Sequence, residues 1–208
     1  MNILILSAGG PTAHGAIKSL RDINFDGKIV SIDSNPLSAG FYLSDSYYIV
    51  PKAFEDGYVE KIWSIVNKEK IDLILPTSSN DIVTLSKNNH LFEGKLFMSD
   101  YEAIDICSDK LKFYEKCKDK FPLPKTSMNY DDIDYPLFAK PKEHSAGSRG
   151  ISLCKSIQNI NCLNTDKYKY IYQEYLPGME YTIDVLCDMD SNPLAIVPRE
   201  RLQTKAGI

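Results

Sequence analysis

Residues 135–151 read Y-P-L-F-A-K-P-K-E-H-S-A-G-S-R-G-I. The first part, residues 136–139, has the apolar character of a short buried strand. Lys140 stands at its end, held by Pro141. A loop of small residues follows, with Ser145, Ala146, Gly147, Ser148 and Gly150 surrounding Arg149. Residues 151–154 are apolar again and read as the returning strand. A lysine at a strand end, facing a loop of small residues, suits a polyphosphate. The ammonium supplies a point charge, and small residues let backbone N–H groups approach phosphate oxygens. A hairpin with a long solvated tip would show the same residues, so the neighbouring stretches must decide.

The chain has 208 residues, enough for one large domain or two small ones around a substantial core. Hydrophobic residues at 43% and charged residues at 25% fit a water-soluble globular class. A net charge of −4 argues against a nucleic-acid surface. No apolar run reaches membrane-spanning length, and the apolar start at residues 1–6 runs into Gly9-Gly10-Pro11 without the basic lead of a signal peptide. The five cysteines are scattered, with no C-x-x-C spacing, and the three histidines form no ligand pattern. A reducing cytoplasm, without disulfides or zinc, is the simplest expectation.

The order of elements is legible from periodicity. Residues 2–6 are an apolar run ending in a glycine turn, and Ala13, Ala16, Ile17 and Leu20 then take helical spacing. Strands are expected at 28–32, 47–50 and 71–75, and an amphipathic helix at 58–67. A further helix is expected from Asp81 to Ser86, with Asn80 as its cap. This alternation predicts a parallel, doubly wound sheet over residues 1–98. Two helices follow, at 101–107 and 109–119, stopped by Pro122 and Pro124. Beyond them the chain is rich in strands, at 136–139, 151–154, 170–175, 180–187 and 194–198. A short helix is expected within 156–163, which makes the second region α+β.

Two stretches bear on the ligand. The first glycine turn has glycines at 9, 10 and 15, which misses the G-x-G-x-x-G spacing of dinucleotide-binding proteins, although Asp33 sits where their ribose acid would. An NAD(P)-dependent oxidoreductase is therefore the alternative enzyme. The second stretch, residues 170–184, reads Y-I-Y-Q-E-Y-L-P-G-M-E-Y-T-I-D. Its strand ends at the Pro177-Gly178 turn, where exposed backbone groups can read the edge of an adenine. Glu180 opens the next strand and can accept two ribose hydroxyls.

Taken together, these stretches resemble an ATP-grasp enzyme over nearly the whole chain, most of all the branch of the carbamoyl-phosphate synthase large subunit and the carboxylate–amine ligases. I-L-I-L-S-A-G-G at 3–10, I-D-S-N-P at 32–36 and L-P-T-S-S-N-D at 75–81 resemble the pre-ATP-grasp domain. D-K at 109–110, F-P-L-P-K-T at 121–126, L-F-A-K-P at 137–141 and S-A-G-S-R-G-I at 145–151 resemble the two phosphate-contacting basic positions, the entry turn and the loop over ATP. Q-E-Y-L-P-G-M-E-Y-T-I-D-V at 173–185 resembles the adenine hinge and ribose acid, and R-E-R-L-Q-T-K-A-G-I at 199–208 a strand facing the acceptor substrate.

The resemblance implies an α/β pre-ATP-grasp domain with a Rossmann-like parallel sheet at 1–98. An incomplete α+β ATP-grasp domain would occupy 99–208, with linker helices, a lid subdomain and the start of a C-terminal sheet. It implies ATP and Mg²⁺ as cofactors, with small carboxylate and amine substrates. Lys110 and Lys140 would neutralise phosphate, and Ser145, Ala146, Gly147, Ser148 and Gly150 would cover it. Gln173, Glu174, Tyr175 and Leu176 would meet adenine, Glu180 the ribose, and Arg199 and Arg201 the acceptor carboxylate or acyl-phosphate. The family's magnesium-binding acid and E-x-N stretch would lie beyond Ile208, so an N-terminal portion that is inactive alone, or a non-catalytic nucleotide-binding remnant, is also expected. Strand edges after Tyr170 would leave room for a homo-oligomer.

Overall fold

Alternation along a single apolar strand sets the first unit. β1, Ile3–Ile5, is buried throughout. Ile3 and Ile5 pack with Ala13 and Ile17 of α1 (Pro11–Asp22). Leu4 and Leu6 point the other way, against Ile62, Ile65 and Val66 of α2 (Tyr58–Lys68). Period-two alternation with apolar cover on both faces is what a parallel sheet between helix layers requires. β2 (Ile29–Asp33), β3 (Ser46–Ile49) and β4 (Leu73–Leu75) complete that sheet. Its order is β3-β2-β1-β4 and every pairing is parallel. In this computed structural model, residues 1–143, 150–188 and 190–202 are described. The chain divides into two units, Met1–Ser108 and Asp109–Ile208.

Local chemistry explains where the helices begin. α1 starts with Pro11 after the Gly9-Gly10 turn, a position where a missing N–H costs nothing. α2 buries one face, and each fully buried aliphatic side chain of that face contributes about 1.5–3 kcal/mol. α3 runs Ser79–Ser86, two residues earlier than the sequence suggested, and its cap is Ser78 rather than Asn80. The Ser78 hydroxyl accepts from the Asp81 N–H at 3.2 Å. α4, Tyr101–Ser108, ends the first unit.

The second unit opens with α5, Lys110–Cys117, capped by Asp109. Its four-stranded sheet is antiparallel, in the order β5-β8-β6-β7. The strands are β5 (Thr126–Ser127), β6 (Leu137–Pro141), β7 (Ser152–Cys154) and β8 (Tyr170–Glu174). Leu137, Ala139, Cys154, Tyr170 and Tyr172 form the buried face, against Ile160 of the short helix α6 (Ile157–Asn161). The opposite face therefore carries the alternate residues Phe138, Lys140, Ile171 and Gln173. β9 (Tyr181–Cys187) and β10 (Pro193–Glu200) form a separate hairpin. Its residues Ile183, Val185, Leu194 and Ile196 are each more than half exposed.

Candidate functional site

The two expected phosphate-binding lysines belong to elements that are fastened together. Asp109 accepts from the N–H groups of Leu111 (2.9 Å) and Lys112 (3.1 Å), closing the start of α5. The same carboxylate pairs with the Lys142 ammonium at 2.6 Å. The Lys110 N–H donates to the Lys142 carbonyl at 3.1 Å. Two contacts to Lys142 thus lock the first turn of α5 to the chain just after β6. Lys110 and Lys140 are both half-buried there, and their charges interact. Burial pushes the Lys110 ammonium below its ordinary value, and Lys140 pushes it the same way, against the opposing pull of Asp109. Burial likewise lowers Lys140, while Glu180 pulls it up.

Lys140 lies within β6, whose last residue is Pro141, and its strand therefore runs slightly further than the sequence indicated. Its ammonium donates to the Gln173 amide oxygen at 2.5 Å and stands 5.3 Å from the centre of the Phe138 ring. Gln173 thus turns its side chain to the second lysine. Around this lysine the open sheet face becomes apolar. The Phe138 and Tyr175 rings are 5.6 Å apart, and Leu153 faces Phe138 across the strands. Leu153, Tyr175, Tyr135, Pro136 and Lys155 line a shallow cavity of about 400 Å³.

The remaining expected residues fall as follows. Glu174 is exposed and joined to Lys125 twice, its N–H to the Lys125 carbonyl and its carboxylate to the Lys125 N–H, both at 2.9 Å. Leu176 is exposed just past the strand. The Glu180 carboxylate pairs with Arg201 at 3.0 Å. Arg199 makes a two-pronged contact with Asp184, at 2.5 and 3.0 Å. Both guanidinium groups expected to face the acceptor are therefore engaged with carboxylates of their own unit. Gly150 has φ +77°, and a Cβ there would come within 2.9 Å of the Pro141 ring and 3.0 Å of the Tyr168 ring, so packing and backbone both require glycine. Ser145, Ala146, Gly147 and Ser148 lie outside the described residues.

The first unit has its own cleft. A cavity of about 450 Å³ opens at the carboxyl ends of β1 and β2, where parallel sheets commonly bind ligands. Asp33, Lys52, Tyr58, Ser78 and Asp81 are among its lining residues. Asp81 is almost fully buried, and sequence reading did not single it out. It accepts from Ser7 Oγ (2.6 Å), Tyr58 Oη (2.6 Å) and Ser78 Oγ (2.9 Å). Burial, with the nearby Asp81 charge, pushes the Tyr58 phenol far above its ordinary value. Asp33 accepts from the N–H groups of Gly9 (2.7 Å) and Asn35 (2.8 Å). It ties down the glycine turn, and that role accounts for the acid without a dinucleotide ribose.

The fold is that of a two-unit α/β protein whose second unit holds two interacting half-buried lysines, Lys140 on the antiparallel sheet and Lys110 at the start of α5. Residues 107–207 match the family model "ATP-grasp domain", and residues 3–96 match "PylC-like, N-terminal domain". The chain is 27% identical over 210 aligned residues to the carbamoyl phosphate synthase large chain of Campylobacter jejuni, covering 90% of this chain and 19% of that one. It is 25% identical over 193 residues to the arginine-specific large chain of Halalkalibacterium halodurans, covering 85% and 18%. Among solved structures, N5-carboxyaminoimidazole synthetase of Staphylococcus aureus complexed with ADP superposes with a TM-score of 0.73 at 15% identity, over 100% of this chain and 56% of that one. The chain thus spans about a fifth of these curated relatives and about half of that solved structure. Among the described residues, no helix is long and apolar enough to cross a membrane.

Proposed function

We propose that this chain carries the nucleotide site of an ATP-dependent ligase that activates a carboxylate, or bicarbonate, for attack by an amine. The observation that carries the reading is the pair Lys110 and Lys140. Two half-buried ammonium groups have depressed proton affinities, and a neutral amide receives one of them. Folding holds them at a cost that a polyanionic ligand would offset. The triphosphate lies over these lysines, and residues 145–150 cover it. Adenine rests on the ledge of Phe138, Leu153 and Tyr175, its edge read by the backbone of Glu174 and Leu176, and Glu180 receives the ribose.

In this reading a carboxylate oxygen attacks the γ-phosphorus. The new O–P bond forms as the bond to the bridging oxygen breaks, and ADP leaves. The amine then attacks the acyl carbon, the C–O bond to phosphate breaks, and the amine loses a proton. The residues' contribution is positioning and charge stabilisation. Arg199 and Arg201 serve the acceptor carboxylate or acyl-phosphate, and the first-unit cleft holds part of a small substrate. Mg²⁺ would enter with the phosphates. Among the described residues, no group of three or more His, Cys, Asp or Glu could hold it, so none is assigned to it. We place the domain boundary at 98/99, with α4 as a linker helix that packs in the first compact unit; the setting is cytoplasmic, and homo-oligomers form through strand edges; the five free cysteines are consistent with a reducing compartment.

Calorimetry with MgATP, MgADP, NAD and NADP tests this reading. Heat from the adenine nucleotides alone is the expected result. Binding of NAD without any response to ATP or ADP would overturn it.

A further inference from the structure

Behind Lys140 lies a chain of hydrogen bonds that fixes its own direction. The Thr126 hydroxyl donates to the Pro124 carbonyl at 2.9 Å. That carbonyl can only accept, so the single hydroxyl hydrogen is committed there. Towards Gln173 the Thr126 oxygen can therefore only accept, and the Gln173 amide nitrogen donates to it at 2.9 Å. The amide oxygen must then point away, and it receives the Lys140 ammonium at 2.5 Å. An ammonium has donors and no acceptor. Both ends of the relay thus demand the same amide orientation. Strand register brings the members together: Thr126 pairs with Gln173 and Gln173 with Phe138, two residues from Lys140 on the same face.

We infer that Thr126 is a positioning residue: it selects the end of the Gln173 amide that faces Lys140 and so aims the ammonium at an anionic ligand. Thr126 is buried, only 6% exposed, so water does not readily take over the choice. Without the hydroxyl, the amide can turn its NH₂ group towards Lys140. Two donors then face one another and the ammonium moves away. The nearby charges, Lys110 and Glu180, act on Lys140 through space and do not choose the amide's orientation. The identity of the anion as a nucleotide polyphosphate rests on the proposed function; the relay itself does not.

The two claims separate in one set of experiments on the full chain, using T126V, Q173E and the double variant. A carboxylate has two equivalent accepting oxygens and needs no orienting partner. T126V is therefore expected to weaken ATP and tripolyphosphate binding about tenfold in the Gln173 background, since hydrogen bonds to charged groups are typically worth a factor of ten or more. In the Q173E background the same substitution should change binding less than about threefold, and in the Gln173 background T126V should leave adenosine affinity level. The second readout needs no ligand: the Lys140 side-chain resonance in ¹³Cε-lysine-labelled protein should titrate differently in T126V, and Q173E should suppress that difference. Equal effects of T126V in both backgrounds, by both readouts, would show a packing defect and overturn the inference. If the wild-type chain binds neither ATP nor tripolyphosphate, the nucleotide reading fails, while the resonance still decides the role of Thr126.

Discussion

The carboxylate of Asp109 lies 2.6 Å from the ammonium of Lys142, and the same carboxylate caps α5. One buried acid thus joins a helix start to a strand end, and Lys110 is the next residue in the chain. Burial raises the Asp109 proton affinity. The hydrogen bond from Lys142 and those from the Lys112 and Leu111 N–H groups outweigh it, and the net value falls below the ordinary 3.8.

The sign of the pH effect follows. A carboxylate with a depressed folded value contributes stability that is fully present above 3.8 and is lost as pH falls through the folded value. Asp109→Asn keeps a capping oxygen and loses the ion pair. Asp109→Ala loses both, the cap alone being worth about 1 kcal/mol. Chemical denaturation at pH 7 should rank wild type above D109N and D109N above D109A. The gap between wild type and D109N should close in acid, below the folded value. A gap independent of pH would mean that the Lys142 pair contributes nothing.

Lys110 gives the opposite sign. Burial and Lys140 lower its proton affinity from 10.5, so the folded state binds this proton less tightly than the unfolded chain. Its favourable contribution is complete above 10.5 and is lost as pH falls through the folded value. At neutral pH the charge is therefore a cost. Lys110→Met should raise the thermal midpoint of the ligand-free protein at pH 7, with the advantage shrinking towards pH 10.5. The same substitution should weaken ATP binding by about 1.5–3 kcal/mol. A lower midpoint together with unchanged ATP affinity would remove Lys110 from the site.

The buried acid of the first unit is a matter of stability. Asp81 receives three hydroxyls, those of Ser7, Ser78 and Tyr58. Asp81→Ala would strand them around a cavity. Each polar group left buried without a partner costs about 1–3 kcal/mol, so D81A should unfold at much lower urea than Asp81→Asn, which keeps an accepting oxygen. Equal midpoints for the two would show that the hydroxyls find water instead.

How far the sequence reaches can be judged from particular residues. The alternation of Ile3, Leu4, Ile5 and Leu6 and the helical spacing of Ile62, Ile65 and Val66 identify a two-faced parallel sheet, because burial pattern is a local property. Ser78 and Asn80 are both capable caps. Asp81 settles the choice by bonding to Ser7 and Tyr58, which lie 74 and 23 residues away. Local sequence singled out Lys140 and Glu180, and position in the family resemblance added Lys110 and Gln173, but neither gave a partner for any of them. The link from Gln173 to Lys140 and Thr126 depends on the register of three strands, and those of Arg199 to Asp184 and Arg201 to Glu180 on the register of a hairpin. Register is a tertiary outcome, written in no single stretch.

In the proposed function, Glu180 and Lys140 would touch opposite ends of a bound nucleotide. Glu180 opens towards the β9–β10 hairpin and pairs with Arg201 at 3.0 Å. Its side chain is 68% exposed, so the pair adds little stability, about 1 kcal/mol or less. Glu180→Gln should therefore leave the thermal midpoint nearly unmoved. If the carboxylate receives the ribose, E180Q should weaken ATP, ADP and adenosine together, and should reduce the preference for ATP over 2′-deoxy-ATP. Lys140→Ala removes the proposed phosphate contact together with the bond to the Gln173 amide, and should weaken ATP and ADP while sparing adenosine. The double variant should depart from additive losses for ATP, because the Glu180 carboxylate also acts on the Lys140 charge. Titration calorimetry of the four proteins against ATP, ADP, adenosine and 2′-deoxy-ATP provides the comparison. An E180Q protein that keeps full discrimination against the deoxy-nucleotide would take Glu180 off the ribose and leave it as the partner of Arg201 alone.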